Sequence, residues 1–132
     1  MEFLQQPTKI LYVEDNALSL RLLERAFRKT SYTLIGAVDG YSGIETALKE
    51  QPALILLDLM LPDIDGIEVA QVLKNETILR HVPIVALTSD SKTSTRQRCM
   101  EVGFSAYLTK PLSRNLLLRT IRDTLYELRQ VQ

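Results

Sequence analysis

The chain has 132 residues, the length of one domain, and 45% of them are apolar, enough for one sizeable core. Its 16 basic and 16 acidic side chains cancel, which argues against a strong non-specific hold on nucleic acid or acidic membranes. One cysteine, Cys99, rules out an internal disulfide and fits a reducing, cytoplasmic setting.

The first residues, Met1-Glu2-Phe3-Leu4, do not form a basic region followed by an apolar stretch, so no secretory signal is expected. Residues 1–8 read as a loose arm ahead of a core spanning about 9–128, all within one domain, 1–132. Residues 10–13 predict a short strand. Residues 18–27 predict a helix, with Leu20, Leu23 and Phe27 in one row and Leu22 and Ala26 beside it. Residues 33–38 predict a second strand, closed by Asp39-Gly40. Ile44, Ala47 and Leu48 mark a second helix that Pro52 stops. Residues 54–57 form a third strand, and 67–73 a third helix entered after Gly66. Residues 83–87 give a fourth strand, and 95–102 a fourth helix with Gly103 as its stop. Residues 105–108 give a fifth strand. Ser113 then caps a last helix with Leu117, Ile121, Leu125 and Leu128 on one face. The longest apolar stretch, 53–61, is broken by Asp58 and is too short to span a bilayer. No repeat or low-complexity segment interrupts the alternation.

Strands alternating with helices imply right-handed crossovers and a parallel sheet. The middle strands are nearly continuous apolar runs, as expected when both sheet faces are covered. The expected fold is a doubly wound α/β domain with five strands and five helices.

Four strands lead into polar groups: Glu14-Asp15, Asp58, Thr88-Ser89 and Thr109-Lys110. In an open parallel sheet the carboxyl ends of all strands share one edge, so these groups are expected to converge there. Any one of them alone reads as an ordinary loop residue; the four together read as a site. Three clustered carboxylates repel one another unless a cation neutralises them. Mg²⁺, a hard ion with oxygen ligands, suits such a site when it also receives phosphate. Glu14, Asp15 and Asp58 are candidates to hold it directly or through waters, with Lys110 opposite. A carboxylate, a divalent ion, a lysine and a hydroxyl are the parts needed to move a phosphoryl group onto an aspartate.

Leu11-Tyr12-Val13-Glu14-Asp15-Asn16, the run from Leu57-Asp58 through Met60-Leu61-Pro62 to Asp65-Gly66, Ala86-Leu87-Thr88-Ser89 and Tyr107-Leu108-Thr109-Lys110-Pro111 resemble the receiver domains of bacterial response regulators. The resemblance runs from about residue 9 to 128. It implies a flavodoxin-like strand order, 2-1-3-4-5, and a switch without an enzyme's turnover beyond its own phosphorylation and dephosphorylation. It implies that Asp58 accepts the phosphoryl group from a histidine kinase or histidine phosphotransfer protein. Glu14 and Asp15 match the acidic Mg²⁺ pair, and Met60 the residue whose backbone carbonyl is a ligand. Thr88 and Lys110 match the hydroxyl and ammonium that engage the phosphoryl group. Tyr107 matches an aromatic that turns inward when Thr88 is drawn toward the site. The Lys110-Pro111 bond is expected to be cis. The output is expected through the fourth helix, fifth strand and fifth helix, toward a protein effector. Glu14 stands where Asp is common, and Ser89 where Ala is frequent.

Other residues carry blander readings. His81, the sole histidine, precedes Val82-Pro83 and reads as a loop residue. Cys99 reads as a small packed side chain. Arg119, Arg122 and Arg129 read as a solvated or protein-contacting face rather than a DNA surface, given the zero net charge. An aspartate-nucleophile phosphatase places a second acid two residues after its nucleophile; here that residue is Met60, which supplies no general acid. A nucleotide or flavin carrier is disfavoured by the acidic, glycine-free turn after the first strand. The chain ends soon after the last helix, so a stand-alone receiver acting through protein contacts is expected.

Overall fold

The structure, a computed structural model, describes residues 7–131, and side-chain surroundings as far as residue 128. Five strands alternate with five helices: β1 (Thr8–Val13), α1 (Ala17–Ala26), β2 (Tyr32–Ala37), α2 (Gly40–Glu50), β3 (Leu54–Leu57), α3 (Gly66–Asn75), β4 (Ile84–Thr88), α4 (Thr93–Val102), β5 (Ala106–Thr109) and α5 (Arg114–Val131). The strands pair in parallel in the order β2-β1-β3-β4-β5, as expected. Thr8 already pairs with Tyr32, so the strand starts inside the segment read as a loose arm. Residues 1–6 of that arm and the Arg129 side chain lie outside the description.

Side chains alternate across each strand, and this period of two sorts the core into two layers. Leu11, Val13, Ile55, Leu57, Ile84 and Ala86 face α2, α3 and α4. Ile10, Tyr12, Leu54, Leu56, Val85 and Leu87 face α1 and α5, meeting Leu23, Phe27, Leu117 and Ile121. On α1 the row of Leu23 and Phe27 is the buried one. Leu22, expected to flank it inward, is 56% exposed because the sheet covers only the Leu23–Phe27 stripe.

The helix starts follow local chemistry. Asn16 accepts the Ser19 N–H ahead of α1, and Asp65 accepts the Ile67 N–H ahead of α3. Ser113 accepts the Leu116 N–H at the start of α5. Gly103 ends α4 at φ 112°, a left-handed conformation that suits glycine.

Asp39-Gly40 differs from its reading as a strand-closing turn. Asp39 forms a capping box with Ser42, and Gly40 is already the first residue of α2. A distant partner completes this start: Asp63, in the loop after β3, accepts the N–H groups of Gly40 at 2.7 Å and Tyr41 at 2.8 Å. It also accepts the Ile64 N–H at 2.9 Å. Partial desolvation pushes the Asp63 carboxyl up, but the N–H donors of Tyr41, Gly40 and Ile64 outweigh it and hold it below its ordinary value. A depressed carboxyl stabilises the fold above its unfolded pKa, about 3.9, and that contribution is lost as pH falls through the folded value. Asp63→Ala is therefore expected to lower Tm at pH 7, with the deficit shrinking below about pH 4. Thermal unfolding across pH checks this; a deficit of constant size down to pH 3 would contradict it.

Candidate functional site

In this sheet β1 lies between β2 and β3, and successive connections leave for opposite faces: α1 packs on one, α2 and α3 on the other. The crevice that such a divergence opens lies at the carboxyl ends of β1 and β3. Glu14 and Asp15 follow β1, Asp58 follows β3 and Lys110 follows β5. They line one open cleft of about 680 Å³, together with Leu18, Met60 and Ser89. Strand periodicity explains the grouping. Glu14 continues the face of Ile10 and Tyr12, Asp58 that of Leu54 and Leu56, and Lys110 that of Ala106 and Leu108.

Carboxylate oxygens of Glu14, Asp15 and Asp58 all lie within 4.8 Å of one another. Glu14 and Asp58 are buried, at 3% and 6% exposure, while Asp15 is open to solvent. Asp58 accepts the Met60 N–H on Oδ1 at 3.0 Å and the Lys110 ammonium on Oδ2 at 3.2 Å. Glu14 Oε1 takes both the Lys110 ammonium and the Tyr12 hydroxyl, and Oε2 takes the Asn16 N–H at 3.2 Å. Burial pushes Lys110 down, but the Glu14 and Asp58 carboxylates outweigh it, so its pKa is raised and it stays cationic. Three acids against one lysine leave a local excess of negative charge. An oxygen-only donor set, open on one side, fits a hard divalent ion that keeps several waters.

Thr88 sits on the opposite face of β4 and is fully buried. Its Oγ1 accepts the Asp90 N–H at 3.3 Å and forms no bond to Asp58. Tyr107 is 6% exposed: its ring already stands inward, its hydroxyl donates to the Asp90 carbonyl, and the Arg96 guanidinium lies 5.0 Å from the ring centroid. The inward ring expected only after Thr88 moves is thus the position seen with Thr88 still on Asp90, because Asp90 and Arg96 together hold it. The Asp90 carboxylate accepts the Lys92 N–H and the Thr95 hydroxyl, which keeps it below its ordinary pKa. The Lys110-Pro111 bond is cis.

A doubly wound 2-1-3-4-5 sheet with an acidic triad and a half-buried lysine at its strand ends is the layout of a signalling receiver rather than a nucleotide carrier. Residues 10–122 match the response regulator receiver domain, and the chain belongs to that family. It is 33% identical over 119 residues to the polar-differentiation response regulator DivK of Brucella anthropi, an alignment covering 90% of this chain and 97% of that one. The receiver domain of a sensor histidine kinase from Pseudomonas aeruginosa, whose structure has a magnesium ion coordinated in the active-site cleft, is 30% identical with a TM-score of 0.83. That match covers 91% of this chain and 98% of the other. A CheY-like receiver domain from Methanospirillum hungatei shares the fold at TM-score 0.89 and 22% identity, over 96% of this chain and 100% of that one.

Two functional neighbours escaped the sequence reading. Tyr12 was part of a motif but looked like core; a buried tyrosine two residues before an acid on a strand, needing a partner for its hydroxyl, was the available signal. Asp63 gave no signal of this role, since two of its three donors, the Gly40 and Tyr41 N–H groups, lie on a helix start more than twenty residues earlier. Cys99 is buried, and burial pushes its thiol up, in keeping with a packed side chain. Among the described residues no helix is long and apolar enough to cross a membrane.

Proposed function

We propose that this receiver domain takes a phosphoryl group onto Asp58 from a phosphohistidine of a histidine kinase or phosphotransfer protein. The carrying observation is the placement of the Asp58 carboxylate: nearly buried, on the cleft floor, 3.2 Å from Lys110 and clustered with Glu14 and Asp15. A carboxylate oxygen of Asp58 attacks phosphorus while the phosphorus–nitrogen bond of the donor breaks, and the imidazole leaves with its electron pair. Lys110 offsets charge on the equatorial oxygens. Glu14, Asp15, Asp58 and the Met60 carbonyl are the groups that would hold Mg²⁺, directly or through water. When bound, the ion screens the carboxylates from the incoming phosphoryl group. The bound magnesium of the Pseudomonas aeruginosa receiver supports this reading.

The output is assigned to the α4, β5 and α5 face, toward a protein effector rather than DNA. Asp90 gives the route its physical form: its N–H meets Thr88, its carbonyl meets Tyr107 and its carboxylate meets Thr95 on α4. Thr88 turning toward a phosphoryl group releases the Asp90 N–H and resets this loop, a two-state element biased by local bonding. The buried free thiol of Cys99 supports a cytoplasmic setting.

Transfer from a radiolabelled phosphohistidine donor is expected to require a divalent ion, because the site already carries a negative excess. Chelation before the donor is added should prevent labelling, and added Mg²⁺ should restore it. Transfer at full rate after exhaustive chelation would contradict the proposed site.

A further inference from the structure

We infer that Asp63 is a positioning residue for the acceptor loop: its carboxylate ties residues 58–65 to the start of α2 and so sets where Met60 offers its carbonyl to a divalent ion. This rests on the reading of Glu14, Asp15, Asp58 and the Met60 carbonyl as a Mg²⁺ site. At the head of α2 the Asp39 side chain takes the Ser42 N–H at 2.8 Å, and the Asp39 carbonyl takes the Gly43 N–H at 2.9 Å. The Gly40 and Tyr41 N–H groups, which a helix's own ladder leaves unpaired, go instead to Asp63. Each meets a different carboxylate oxygen, and two charge-assisted bonds fix both the place and the angle of the group. A helix cap needs only a local side chain, which Asp39 provides. A partner 22 and 23 residues away adds a tie between two loops.

The loop is built to transmit that tie. Its approach to α2 is close because Gly40 has no side chain: a Cβ there would lie 2.5 Å from Ile64 Cγ1 and 2.9 Å from Val69 Cγ2. Backbone bonds fix the other end, with the Asp58 N–H on the Val13 carbonyl at 3.1 Å and the Gly66 N–H on the Leu59 carbonyl at 2.9 Å. Between Leu59 and Asp63 lie only Met60, Leu61 and Pro62. Pro62 fixes its own φ and keeps Leu61 out of the helical region, so this bridge has few internal freedoms. Where Asp63 is held therefore decides where Met60 lies. The Met60 N–H in turn bonds Asp58 Oδ1 at 3.0 Å, so a shift of the bridge reaches the acceptor as well.

Mg²⁺ titrations followed by amide NMR shifts test the inference in the wild type, Asp63→Ala and Asp39→Ala, at a temperature where circular dichroism shows all three folded. Asp39→Ala is the control: it removes the other cap and the same single charge from the same helix start, but leaves the tie to the loop. Asp63→Ala is expected to weaken Mg²⁺ binding about tenfold, within the usual range for coupled sites, and Asp39→Ala by less than about threefold. Wild-type affinity in Asp63→Ala would overturn the inference, as would equal losses in the two variants, which would assign the effect to charge or helix stability. A second readout needs no variant and stands if Asp63→Ala does not fold. Coupling is reciprocal, so saturating Mg²⁺ should slow hydrogen exchange at the Gly40 and Tyr41 amides about tenfold, and at the Ser42 amide, held by Asp39, by less than about threefold. Equal slowing at all three, or none at Gly40 and Tyr41, would also overturn it. A wild-type chain that binds no Mg²⁺ would instead remove the metal-site reading, and this inference with it.

Discussion

Asp58→Asn is expected to abolish phosphoryl uptake while the fold persists. The amide keeps the carbonyl oxygen that accepts the Met60 N–H, so the loop after β3 retains its bond. What goes is the anionic nucleophile and one of three metal-binding carboxylates. Lys110 keeps Glu14 as a partner, so the half-buried ammonium is not left unpaired. The circular dichroism spectrum should match that of the parent, with labelling by a phosphohistidine donor falling to background. Stoichiometric labelling of this variant would contradict the assignment.

Gly66→Ala is expected to be the most destabilising small substitution near the site. A Cβ at Gly66 would lie 2.5 Å from the Asp58 carbonyl oxygen and 2.5 Å from the Leu59 Cα. Both are backbone atoms of the loop that carries the acceptor, and the Gly66 N–H already bonds the Leu59 carbonyl at 2.9 Å. Neither neighbour can rotate away, so the loop or the start of α3 must move. A loss of about 3 kcal/mol or more is expected from overpacking against fixed atoms. Gly36→Ala is the contrast: there the nearest atoms to the new Cβ belong to the Leu20 side chain, its methyl groups at 3.1 Å, and a rotamer change relieves the contact. Urea unfolding of both variants measures the difference. Equal, small losses would mean that the acceptor loop yields more easily than its packing implies.

Most of the fold was legible because local and global signals agree. The apolar runs of β3 and β4 could only be strands covered on both faces. Gly103 and Ser113 act where turn and capping chemistry puts them. The reading slipped where a distant group decides the outcome. Gly40 opens α2 instead of closing a strand because Asp63 caps it from another loop. Leu22 fits a helical row yet stays exposed, because periodicity says nothing about how wide the covering surface is.

The acids and Lys110 were legible because a parallel sheet forces strand ends together. Thr88 and Tyr107 were placed on the right strands, but their present bonds were not foreseeable. Both are engaged by backbone groups of Asp90, and backbone partners leave no mark in composition. Tyr12 was hidden for the opposite reason: an apolar neighbourhood made it look like filling.

The central claim is most directly tested by intact-mass measurement after incubation with acetyl phosphate, followed by peptide mapping. One phosphoryl group is expected, on the peptide carrying Asp58, appearing with Mg²⁺ and absent with chelator. Modification at any other residue, or uptake indifferent to Mg²⁺, would contradict the account.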